Sequence, residues 1–232
     1  MKPGILFLFL GSSLLANVAS ETNVYTSTVN QNIPDGSTSG LQSTVHVPEL
    51  PSTIIERVTL FLELDVPDGE VGFTGDLFGY LQHGDTQVVI VNRPGRADDR
   101  PAGYSDSIPI SITFADDAPN GDIHDYRLTI NGSHSVPVTA PLTGVWQPDG
   151  RDEDPDAVDG TEPRILTLSL YDGIDPTGDW TLFLADVSGG GQYRLNDWSL
   201  NLQTTVVPEP GTIALLAAGA FFLGAARRRR RG

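Results

Sequence analysis

Cysteine is absent from this 232-residue chain, and lysine occurs once, at Lys2. The first absence excludes a disulfide framework and any cysteine-held zinc, so an exported domain of this sequence must cohere by core packing, with or without a metal. The second leaves the body of the chain with one sign of charge. Between Glu21 and Val207 there are eight arginines, no lysine and 29 acids, a net charge of −21 inside an overall −16. Such a surface repels nucleic-acid phosphates and anionic membranes, which excludes a nucleic-acid partner. Helical periodicity beyond two turns is missing, as is any repeat of fixed period. Catalytic patterns are missing too. The four histidines, His46, His83, His124 and His134, are scattered. No Gly-x-Ser-x-Gly elbow and no His pair at i, i+4 occurs. These absences argue against an enzyme.

Long apolar runs are confined to the two ends. Residues 1–20 read as a secretory signal peptide: Lys2, an apolar run from Ile5 to Leu15, then Val18-Ala19-Ser20 before cleavage at Glu21. At the other end, Val207-Pro208-Glu209-Pro210-Gly211 breaks strand structure, Thr212 to Ala226 is apolar and uncharged, and Arg227 to Arg231 follow. As a helix, Gly211 to Ala226 would span ~24 Å, enough to cross a locally thinned bilayer with the arginines held inside. Residues 207–232 resemble the PEP-CTERM sorting signal of exopolysaccharide-producing Gram-negative bacteria. The resemblance implies a transmembrane helix, processing by an exosortase near Pro208, Glu209 and Pro210, and passage from the inner membrane to the cell surface or extracellular matrix.

The body, residues 21–206, alternates short apolar patterns with turn signals. Strands are expected over Val24–Val29, Ser43–Val47, Ile54–Leu64, Leu77–Gln82, Thr86–Asn92 and Ile108–Phe114, with weaker ones at 128–130, 136–138 and 165–170. Val88 to Val91 is apolar on both faces and is expected at the centre of a sheet. Residues 146–163 are expected to form an acidic surface loop, with Trp146 at a sandwich edge. The strongest pattern is Gly178 to Leu202, where Trp180, Leu182 and Leu184, then Leu195, Trp198, Leu200 and Leu202, suggest two strands of a core hairpin around Gly189-Gly190-Gly191. The fold class expected is an all-β antiparallel sandwich or jelly roll, with one C-terminal transmembrane helix.

Gly178, Trp180, Asp186, Leu195, Trp198 and Leu200 resemble the closing pattern of the P domain (P/Homo B domain) of furin- and kexin-like proprotein convertases. Ile33-Pro34-Asp35-Gly36 resembles that family's opening segment. Thr74-Gly75-Asp76-Leu77 stands where the convertases carry Arg-Arg-Gly-Asp-Leu, without the two arginines. The resemblance runs over about 24–205 and is loosest over 93–165. It implies an accessory domain that stabilises or recognises a partner. In the convertases the serine-protease triad lies in a separate subtilisin-like domain, for which this chain has no room.

Calcium is the cofactor the remaining residues suggest, because hard cations take carboxylate and carbonyl oxygens from loops. Asp149, Asp152, Asp154, Asp156 and Asp159 fall within eleven residues, and Asp152-x-Asp154-x-Asp156 spaces them like the start of an EF-hand loop. Ala157 and Pro163 then depart from that pattern. Asp116, Asp117, Asp122 and Asp125 form a second group, and Asp65, Asp68 and Glu70 a third. The alternative for each is solvating charge. The function expected is an exported, non-catalytic module that binds or stabilises a protein or polysaccharide partner in the envelope or matrix. A calcium-dependent polysaccharide adhesin and an accessory to subtilisin-like serine endopeptidase activity are the alternatives.

Overall fold

In strand β3 (Thr53–Asp65), Ile55, Val58, Leu60, Leu62 and Leu64 are buried while Glu56 and Arg57 face solvent. The inward set changes from odd to even positions because the register slips by one residue between Ile55 and Arg57, a bulge that turns the chain without exposing the core face. The computed structural model describes residues 20–207; the expected membrane span and most of the signal peptide lie outside the described residues. Among the described residues no helix is long and apolar enough to cross a membrane.

Two sheets face one another. The first has five strands in the order β1 (Ser20–Asn32), β9 (Arg194–Val206), β3, β6 (Ile110–Phe114), β7 (Leu142–Trp146). It is antiparallel except where β6 meets β7. The second is wholly antiparallel, in the order β2 (Ser37–Val47), β8 (Gly178–Asp186), β4 (Leu77–His83), β5 (Thr86–Asn92). Apolar inner faces from both sheets meet in one core.

Several expectations are corrected. β8 and β9 do not form a hairpin: β8 pairs with β2 and β4, β9 with β1 and β3, and residues 187–193 carry the chain across from one sheet to the other. Trp180 and Trp198 therefore fill the core from opposite sides. β5 is an edge strand. Its free edge is taken up by residues 149–150, Asp149 N donating to Ile90 O (3.1 Å) and Gly150 N to Val89 O (2.9 Å), and Val88 to Val91 are all buried. Residues 128–130 belong to a helical turn, α1 (Tyr126–Asn131), ended by Gly132 at a φ of 68°. Leu168–Tyr171 is a 3-10 turn whose first N–H groups, of Leu168 and Ser169, donate to the Asp116 carboxylate. β7 was not anticipated at all.

Candidate functional site

Register fixes which loops share an end of the sandwich. Ser20 pairs with Thr205, Thr53 pairs with Val206, and Val207 N donates to Ser52 O, so both ends of the described chain leave at one pole. β9 runs from there to Arg194, which pairs with Asn32 and Asp65 at the opposite pole, roughly 40 Å away at the usual rise of an extended chain. That distal pole carries the turn after β1, the segment before β4 and the glycine-rich crossing after β8.

There the three segments compared with the P domain converge, each contributing an aspartate: Asp35, Asp76 and Asp186. Leu77 pairs with Asp186 across β4 and β8, and Val187 N donates to Asp76 O (2.9 Å). Asp35 accepts from Gly190 N (3.1 Å), joining the first turn to the crossing loop. Gly75 is required by close approach, since a Cβ would stand 2.4 Å from Ala102 O. Arg93 comes in from the end of β5 with a left-handed φ of 46°, a conformation that costs a non-glycine residue energy. Its Nε donates to Gly75 O (3.0 Å) and its Nη1 to Asp156 Oδ1 (3.3 Å), while Nη2 stays 3.7 Å from Asp76 Oδ1.

Asp186 is 0% exposed, and neither of its carboxylate oxygens has a hydrogen-bond partner. Burial, and then the like charges of Asp76 and Asp35, push its pKa up to about 7. Asp76 is pushed up to about 6, chiefly by burial, with Arg93 opposing. A carboxyl group whose pKa is raised on folding from the ordinary 3.8 contributes stability that is fully present below about pH 4 and lost as pH rises toward 7. In EDTA, Asp186→Asn should therefore raise the melting temperature above wild type at pH 8, the two converging near pH 4. Melts at a series of pH values check this. A difference that ignores pH would mean Asp186 ionises normally.

The acidic loop is held down by arginines. Arg96 donates to Val158 O and Asp156 O, Arg151 Nη2 to Gly160 O (2.9 Å), and Arg164 Nε to Asp149 O (2.9 Å). Asp149 is fully buried between His124 Nδ1 (2.9 Å) and Arg151 Nη1 (3.2 Å). His124 also meets the carbonyls of Asn92 and Arg96, so both ring nitrogens face acceptors. Burial opposes its charge, but the Asp149 carboxylate more than offsets this and its pKa is raised. Asp152 is exposed; Asp154 accepts from Asp156 N (2.8 Å); Asp156 pairs with Arg93; Asp159 accepts from Thr161 Oγ1 (2.6 Å) and Thr161 N (2.8 Å), which lowers its pKa. Among the described residues no three His, Asp or Glu side chains already form a metal-binding group.

The remaining expected residues are structural in place. Trp180 is buried, stacked on His83 with centroids 4.2 Å apart, and donates to Pro176 O (3.0 Å); Gly178 opens β8 at a φ of 116°. Trp146, at the end of edge strand β7, is 1% exposed and its Nε1 donates to Thr143 O (2.9 Å). Asp117 pairs with Arg57 and Asp65 with Arg194. Asp35, Asp76 and Arg93 stand outside every site that the sequence suggests. The available signal was that all three compared segments carry an aspartate.

Residues 206–231 match the family described as the PEP-CTERM protein-sorting motif. The motif implies an exported protein processed by an exosortase. No curated protein matches the chain significantly. Among solved structures, the serine protease of Aeromonas sobria in complex with its chaperone is similar at 14% identity and a TM-score of 0.43, over 82% of this chain and 28% of that one. The Aeromonas sobria serine protease crystallised by itself is similar at 13% identity and a TM-score of 0.42, over 81% of this chain and 27% of that one. The chain thus spans less than a third of the length of either protein.

Proposed function

We propose that this chain is an exported, non-catalytic P-domain-like module, carried by its sorting tail to the cell surface or matrix, where its distal pole engages a protein or polysaccharide partner. The observation that carries the reading is the polarity of the sandwich. The strand that leads into the sorting motif starts at the pole where Asp35, Asp76 and Asp186 meet, and leaves at the other. A tail held at the envelope then presents the signature pole outward. A binding role also suits the histidines. His46 bonds Asp179, His83 the carbonyls of Asp175 and Asp179, His124 Asp149, and His134 Tyr104, with no serine hydroxyl among these partners. A Ser-His-Asp relay needs a histidine bonded to its serine.

The absence of cysteine makes the test direct. Gly189→Cys places a thiol in open space at the distal pole, and Thr22→Cys places one on exposed β1 near the tail. Intact cells treated with a membrane-impermeant maleimide should label Gly189→Cys strongly and Thr22→Cys less. Replacing Pro208, Glu209 and Pro210 with alanine should leave full-length chain in the inner membrane and abolish surface labelling. Equal labelling at both positions would remove the orientation argument, and surface display that survives loss of the motif would overturn sorting by the tail.

A further inference from the structure

We propose that Asp76 and Asp186 form a binding site for a hard divalent cation, calcium above all, at the distal pole. A buried carboxylate normally has its oxygens satisfied by donors, and leaving them bare costs free energy. Both oxygens of Asp186 lack a partner at 0% exposure. The Ser188 N–H faces the group without reaching hydrogen-bonding geometry. Its neighbours worsen the position, since Asp76 and Asp35 carry the same sign. The cation at hand, Arg93, is committed elsewhere: to Gly75 O, to Asp156, and only loosely to Asp76 at 3.7 Å.

What would satisfy such a group can be narrowed by chemistry. A single proton shared between Asp186 and Asp76 neutralises one carboxylate and leaves the charge of the other, with that of Asp35 beside it. Soft metals want sulfur or imidazole, and these carboxylates are hard oxygen ligands. A calcium ion is small, divalent and oxygen-seeking, and takes carboxylates together with main-chain carbonyls and water. Because no third acidic or histidine side chain completes the group, the two carboxylates would be the charged ligands, main-chain oxygens and water the others, and Asp35 an additional negative charge nearby. The strained Arg93 backbone and the Asp35–Gly190 bridge hold the surrounding loops in place without the ion.

The test uses the purified full chain in detergent, stripped with EDTA, then titrated with calcium chloride against sodium chloride of equal ionic strength. Thermal melting and calorimetry are the readouts. Calcium should raise the melting temperature by several degrees, because an ion that binds only the folded state stabilises it by mass action. Sodium should not, and calorimetry should give one ion per chain. Asp186→Asn, which keeps shape and removes charge, should weaken calcium binding at least tenfold and abolish the shift. Asp152→Asn/Asp154→Asn in the exposed loop should keep both. If Asp186→Asn does not fold, Asp76→Asn carries the same expectation. No calcium shift in wild type, an equal shift with sodium, or a shift that survives in the Asp186 or Asp76 variant would overturn the site. None of these outcomes bears on surface display, which the labelling experiment reads independently.

Discussion

Trp198→Ala should lower the folding free energy by about 3–5 kcal/mol, the usual cost of truncating a fully buried aromatic side chain. Trp198 is 0% exposed on β9, flanked by β1 and β3 in the five-stranded sheet. It also reaches across the sandwich: its Nε1 donates to Ser43 Oγ of β2 at 2.8 Å. Ser43 is shared with Ser27 of β1 (3.1 Å), so the loss falls mainly on packing and only in part on an orphaned hydroxyl. Trp198→Phe separates the two, keeping most of the ring and removing about 1 kcal/mol of hydrogen bonding. Urea denaturation with unchanged m-values is the measurement. For a domain whose net stability falls in the usual range of about 5–15 kcal/mol, the alanine variant loses a large share of it. A cost below about 1 kcal/mol would mean that the two sheets are held together elsewhere.

A comparable loss, about 3–5 kcal/mol, is expected from Arg127→Met, because it strands a buried charge. Asp106 has a side chain with no solvent exposure and accepts from Arg127 Nε (2.8 Å) and Nη2 (2.6 Å), from Tyr126 OH (2.5 Å) and from Val138 N (3.1 Å). The guanidinium also lies over the Tyr104 ring, 4.5 Å from its centroid. Burial disfavours the arginine's charge and Asp106 more than offsets it, so its pKa is raised. Removing both charges, as Asp106→Asn/Arg127→Met, should cost clearly less than the sum of the single changes, since neither group is then left facing an empty partner. Additive single and double variants would show that water already satisfies Asp106. Breaking this cluster should also loosen the tie between α1 and the segment before β4, where Thr74 Oγ1 meets Tyr126 OH at 2.8 Å.

What could be read beforehand divides along a physical line. β3, β4, β5, β8 and β9 were legible because a half-buried strand stamps a period of two on its own residues. Their partners were not, since a strand's alternation is the same whichever sheet receives it; hence the mistaken hairpin between β8 and β9. The apolar run Val88 to Val91 records burial, not position, and an edge strand covered by a loop is as buried as a central one. Leu128 and Ile130 suggested a strand, but three residues cannot distinguish an exposed helical turn from one. The site was visible only in pieces. Asp186 stood out as a core signature, while its meeting with Asp76 and Asp35 depends on contacts across 151 residues of sequence. The role of two of the arginines was hidden for another reason: Arg96 and Arg164 bond chiefly to main-chain carbonyls, which leave no mark in the side-chain pattern.

The placement of β9 has a mechanical consequence. It is hydrogen-bonded to β1 on one side and to β3 on the other, and it leads directly to the tail. In an antiparallel ladder the bonds lie across the strands. Tension applied between the tail and something gripped at the far pole would pull β9 lengthwise and load both ladders in shear, all rungs together. The same force on a terminal edge strand would peel one rung at a time. A chain tethered through β9 is thus built to stay folded under traction.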